Sequence, residues 1–275
     1  MTPADLSRTV LHTVRCAVEA DELRAAVPDG AGVRVPPRPG CGDYATNVAL
    51  RLAKESGRPA LEIAELLRRR LAGEPGIAGV EIAGPGFLNI TLERPAHGRL
   101  VRELLARDER AEPFPLRPAE ESVRRLGMDA ARWSLVTPPG VDRRLLLVQR
   151  EENPLFRVRY AHARCRALLR NAADLGFTPQ VGDENGEFGP GSQELLAELG
   201  EHRRIAAAGD PGRLARHLER LAEGLLRWQA RCPTLPRGDE KPSAVHRARL
   251  ALAEATGKVL ADGLTQLGIT APAHL

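Results

Sequence analysis

Four residues between positions 157 and 171 carry aromatic or polar chemistry at helical spacing: Arg157, Tyr160, Arg164 and Asn171. With about 100° between successive residues they fall on one stripe. Beside it, Val158, Ala161, Cys165, Leu168, Leu169 and Ala172 form a continuous apolar arc, the face such a helix would bury. A flat ring among guanidinium groups suits stacking on splayed single-stranded bases and gripping the phosphates that flank them. A solvated basic face with Tyr160 at its edge fits the same spacing, and geometry alone does not choose between the two.

Other chemistry is hard to find. A phosphate-cradling loop needs glycines followed by Lys and then Ser or Thr, whereas Gly257 and Lys258 are followed by Val259 inside a helical pattern. No GxSxG elbow, HExxH pair or dinucleotide fingerprint occurs, and the histidines at 12, 97, 162, 202, 217, 246 and 274 never reach metal-ligand spacing with cysteine or carboxylates. His162, at the edge of the apolar arc, reads as structural. Cys16, Cys41, Cys165 and Cys232 form no CxxC pair, which argues against a zinc knuckle or a disulfide framework and points to a reducing cytoplasm. The expectation is therefore a protein with no catalytic cluster, no metal and no cofactor.

The elements that must position the stripe can be read in the same way. Leu6, Val10, Val14 and Val18 recur every four residues and predict a first helix. Arg8, Arg15, Glu19 and Asp21 break the stretch from Leu6 to Val27 too often for a signal peptide or membrane span. The segment GVRVPPRPGCGDY reads as a short strand and a loop, with Asp43 placed to cap a helix through Asn47, Leu50 and Leu52. Pro59 opens another helix, bearing Leu61, Ala64, Leu67 and Leu71. Alternation in GVEIAG and GFLNITLE predicts two strands joined by a tight turn at Gly84, Pro85 and Gly86.

Residues 1–95 thus read as a small α/β domain. Residues 96–118, with Pro113, Pro115 and Pro118, read as a linker, and residues 119–275 as a larger all-α helical bundle, which makes the fold class α+β. Helical periodicity runs through AARWSLV, the stretch from Leu145 to Gly176, GRLARHLERLAEGLLRWQARC and HRARLALAEATGKVLADGLTQLG. The acidic, Gly-rich TPQVGDENGEFGPGSQ reads as a solvated loop. A formal charge of +4 and a pI near 9.1 permit an acidic partner such as RNA. Arginine dominance, with lysine only at 54, 241 and 258, follows from codon bias as readily as from phosphate recognition.

The motif ENPLFRVRYAHAR, preceded by GMDAARWSLV and followed near the end by GLTQLGITAP, resembles the DALR anticodon-binding domain of arginyl-tRNA synthetases. Independently, GDYATNVALRLAK and VEIAGPGFLNITL resemble the N-terminal additional domain of the same family, in the family's order. The family's catalytic domain, with its HIGH-type and KMSK-type elements, would lie between these regions, where this chain has only the Pro-rich interval.

The resemblance implies particular residues. Phe87 and Asn89 match positions that hold a D-loop base, by stacking and by a paired donor and acceptor. Phe87 as a strand core residue is the structural alternative. A third family position, often polar, is Gly84 here. On the anticodon side, Tyr160 and Arg164 match the stacking tyrosine and nearby arginine. Arg157 stands at a commonly aromatic position, Trp228 keeps one member of a later aromatic pair that is lost at Gln229, and Leu275 replaces a terminal methionine. The expected function is a non-catalytic tRNA-binding protein, preferring arginine tRNA, that positions tRNA for a separate tRNA-using or tRNA-modifying enzyme. The alternative is a protein-interaction scaffold or synthetase-associated subunit that has lost RNA binding.

Overall fold

Four-residue apolar spacing at the N-terminus folds as helix α1 (Pro3–Glu19), whose Leu6, Val10, Val14 and Ala17 are fully buried. The computed structural model describes residues 3–36, 41–93, 95–107, 112–138, 142–182 and 188–275. They form two compact units, Met1–Leu100 and Val101–Leu275, with the small sheet in the first and a helical bundle in the second, an α+β protein as expected.

In the first unit, β1 (Tyr44–Thr46), α2 (Val48–Ser56), α3 (Ala60–Leu71), β2 (Ile77–Ala83) and β3 (Phe87–Leu92) follow α1. The sheet is antiparallel in the order β1-β3-β2. The predicted β2–β3 turn forms, and it requires glycine: Gly86 has φ +136°, and a Cβ there would lie 3.1 Å from the Ala60 side chain. Asp43 does not cap a helix. Its backbone N–H donates to the Ile90 carbonyl, and its buried carboxylate accepts from the Leu92 N–H at 2.7 Å, which fastens β3 from within. The start of α2 is served by Thr46, whose hydroxyl oxygen accepts from the Val48 N–H at 3.3 Å.

The interval 96–118 is not a plain linker. Apolar residues at 100, 101, 104 and 105 give it an amphipathic first half, which folds within α4 (Pro95–Ala106). Farther on, the Phe114 N–H donates to the Gln266 carbonyl, so the Pro-rich part is tied to the bundle. Residues 108–111 lie outside the described residues.

The second unit continues with α5 (Glu120–Leu126), α6 (Met128–Val136), a 3-10 turn (Arg143–Leu147), α7 (Pro154–Asp174), α8 (Ser192–Ala206), α9 (Pro211–Arg231) and α10 (Ala244–Gln266). Helix α7 packs against α9 and α10, and α8 packs against α9. Contact between α7 and α10 depends on Gly257, where a Cβ would come within 2.8 Å of the Cys165 Cβ. Helix α8 begins within the last two residues, Ser192 and Gln193, of the segment read as a solvated loop. That segment is anchored at its end: Phe188 is buried and its carbonyl accepts from an α9 side chain, while residues 183–187 lie outside the described residues. No helix among the described residues is long and apolar enough to cross a membrane.

Candidate nucleic-acid interface

Helix α7 is set in register at its first turn. Asn153 accepts from the Phe156 N–H at 3.1 Å and donates to the Val148 carbonyl at 2.8 Å, and Pro154 supplies the fixed φ that suits a first helical position. From this start Leu155, Val158, Ala161, Cys165 and Ala172 turn inward. Tyr160, Arg164 and Asn171 are exposed and Arg157 is half-buried, so the predicted stripe emerges beside the buried arc.

Tyr160 retains 40% exposure and does not stand alone. Phe156, one turn earlier, stacks with it at a centroid distance of 6.0 Å and an interplanar angle of 22°. Phe156 was not among the residues expected at this surface, although its i,i+4 spacing to Tyr160 stands in the sequence. Beside this ring pair lies a groove of about 400 Å³ whose lining includes Met128, Leu146, Val148, Asn153, Phe156 and Leu275.

Arg164 donates from Nε to the Gln229 Oε1 at 2.7 Å. Trp228, the neighbour of that glutamine, is no part of the surface. It is 2% exposed and its indole N–H is spent on the Phe188 carbonyl at 2.9 Å, so it offers no face to a base. The helical period decides this, because consecutive residues on α9 sit about 100° apart and the strongly amphipathic helix turns position 228 inward.

In the first unit the strand period brings Phe87 and Asn89 to one face of β3, with Leu88 and Ile90 buried on the other. Phe87 is 41% exposed, which removes the strand-core alternative. Asn89 is 8% exposed, and no hydrogen bond to its amide is seen among the described residues. It stands in a cross-strand row, with Glu81 opposite on β2, Ala45 opposite on β1 and Arg34 paired beyond Ala45. Directly opposed residues share a face, so an exposed carboxylate and an exposed guanidinium flank the Asn89 position.

Histidines are used inside the fold. His162 donates from Nδ1 to the Pro272 carbonyl at 2.9 Å, and burial lowers its pKa. His202 and His217 stack at 5.4 Å, and burial pushes His202 down to about 3. His217 meets Glu198 at 3.1 Å. Burial pushes the Glu198 carboxyl up, but hydrogen bonds from His217 and Arg220 outweigh it and leave the pKa lowered. Among the described residues no group of three or more His, Cys, Asp or Glu side chains is placed to hold a metal ion, and the four cysteines are unpaired.

Residues 9–92 match the arginyl tRNA synthetase N terminal domain, and residues 158–275 match the DALR anticodon binding domain. The chain is an arginyl-tRNA synthetase-like protein. The matches leave residues 93–157 between them, and no catalytic core domain is found there. Among solved structures, it is similar to the Thermus thermophilus arginyl-tRNA synthetase at 25% identity, over 66% of this chain and 31% of that one, with a TM-score of 0.41. A Campylobacter jejuni chain assigned as an arginyl-tRNA synthetase is 17% identical over 56% of this chain and 35% of that one, with a TM-score of 0.43. The arginyl-tRNA synthetase-like chain thus spans about a third of the length of the solved structures it matches.

Proposed function

We propose that this protein binds tRNA, prefers arginine tRNA, and positions it for a separate enzyme without catalysing a reaction of its own. The observation that carries this reading is the exposed Tyr160, stacked on the half-buried Phe156, with Arg164 beside it; Tyr160 and Arg164 lie inside the region that matches an anticodon binding domain. Stacked rings hold unstacked bases whatever their sequence, and an adjacent guanidinium draws the phosphates that link them. Phe87 on the first unit supplies a second aromatic foothold, so that two modest sites on one RNA add by avidity.

The test is Tyr160→Ala, read as equilibrium affinity for tRNA with thermal unfolding as the control on folding. Loss of one stacking platform should cost about 1–3 kcal/mol, roughly 5- to 150-fold in affinity. Unchanged affinity would show that the ring pair is not an RNA platform and would favour a protein-interaction scaffold.

A further inference from the structure

We propose that Gln229 is a positioning residue that fixes Arg164 as the phosphate-gripping arginine of the α7 stripe, and that Arg157 has no such role. This rests on the tRNA-binding reading. The two arginines differ in what α9 sets beside them. Arg164 meets a neutral amide: Gln229, 8% exposed, accepts from Arg164 Nε at 2.7 Å. With Nε engaged, the planar guanidinium is held in one orientation, and the four remaining N–H donors sit on its outer nitrogens. Arg164 is exposed, and among the described residues no carboxylate pairs with it, so it keeps its full positive charge for a phosphate.

Arg157 is set differently. It is half-buried, with Nε shielded and unpartnered among the described residues. Its charge acts on Glu219 of α9: burial pushes the Glu219 carboxyl up, and of the cations that pull against that push Arg157 has the largest effect. A guanidinium partly withdrawn from water, with its Nε shielded, is poorly placed to attract phosphate.

One further feature points outward from the same place. The Gln229 amide nitrogen is buried and has no partner among the described residues, a costly arrangement in a protein at rest. An amide kept with one side unsatisfied is explained if holding the arginine is what the residue contributes.

The test is a double-variant cycle on the whole chain, read as tRNA affinity at several salt concentrations, with thermal unfolding run on every variant. Gln229→Leu should lower affinity about 3- to 10-fold, and should have no further effect once Arg164→Ala is present. Gln229→Glu, which keeps the shape but sets a carboxylate against Arg164, should lower affinity and also reduce the salt dependence by about one phosphate contact. Arg164→Lys keeps the charge but not the fork, and should lose affinity while becoming indifferent to Gln229→Leu. Should Gln229→Leu fail to fold, the Gln229→Glu salt slope and the Arg164→Lys result decide.

Equal loss from Gln229→Leu with and without Arg164 would overturn the inference, because the glutamine would then act on the fold. If Arg164→Ala is neutral while Tyr160→Ala weakens binding, the inference fails and the tRNA reading stands. If the wild-type protein binds no tRNA, the functional reading itself falls, and this inference with it.

Discussion

Two aromatic residues named from the sequence for RNA contact end in opposite environments. Phe87 begins a strand and is 41% exposed on the sheet; Trp228 lies near the end of an amphipathic helix and is 2% exposed in the bundle. The contrast shows how each period distributes a side chain. On β3, alternation sends positions 87 and 89 to the same side, so two matched positions arrive together. On α9, neighbours point about 100° apart, so Trp228 can serve the core while other residues of the same turn face outward. The polar handles differ too: the indole N–H is consumed by a backbone carbonyl, whereas the Phe87 ring has none to satisfy.

Replacing each ring breaks or sharpens that contrast. Trp228→Ala should destabilise the protein by about 3–5 kcal/mol, the usual cost of deleting a buried large aromatic. Phe87→Ala should leave stability within about 0.5 kcal/mol, as exposed substitutions do, while weakening tRNA binding. Denaturant unfolding of both variants checks this. Comparable destabilisation by the two would show that Phe87 is packed, and the sheet would lose its claim to a foothold.

The bundle also holds a titratable core beneath its surface, which makes a second prediction. His202 has its pKa depressed from 6.5 to about 3, so it stays neutral when folded while the unfolded chain takes up a proton. Its contribution to stability is full above pH 6.5 and is lost as pH falls from there toward 3. Glu198, lowered, acts with the same sign at lower pH; Glu219 and Glu254, raised by burial, act with the opposite sign. Melting at pH 7 and pH 5 should show a loss on the order of 2 kcal/mol, diminished in His202→Leu. A slope unchanged in that variant would mean that His202 does not drive the acid sensitivity.

Much of this arrangement was legible beforehand, and the failures have physical causes. Alternation exposed β2 and β3, and the buried arc of α7 followed from its apolar spacing, because both sets of residues face a core that enforces the period. Strand β1 spans only Tyr44–Thr46, too short for alternation to register. Asp43 read as a helix cap because its type and position suit one, but its carboxylate is taken by a strand N–H distant in sequence, which no local pattern records. Gln229 looked like a lost aromatic, and only the packing of α7 on α9 shows it meeting Arg164.

Asp43 yields a smaller prediction on the sheet side. Asp43→Asn weakens a charge-assisted hydrogen bond while keeping the shape, and should cost about 1 kcal/mol in denaturant unfolding. A neutral result would mean that the Leu92 N–H finds another acceptor. The smallest expected effect belongs to Arg34, exposed at the end of the Asn89 row. Arg34→Ala should lower tRNA affinity slightly and uniformly and reduce the salt slope by about 1. A sequence-selective loss would instead place Arg34 at a base.

The decisive measurement is equilibrium binding of the purified protein to arginine tRNA, several other tRNAs and an unstructured RNA, each at two or more salt concentrations. Phosphate attraction fades as salt displaces it, whereas stacking and base recognition persist. The account predicts that arginine tRNA binds most tightly and that its lead survives at higher salt. No binding, or uniform binding abolished by modest salt, would contradict it and leave the two units as scaffolds for a protein partner.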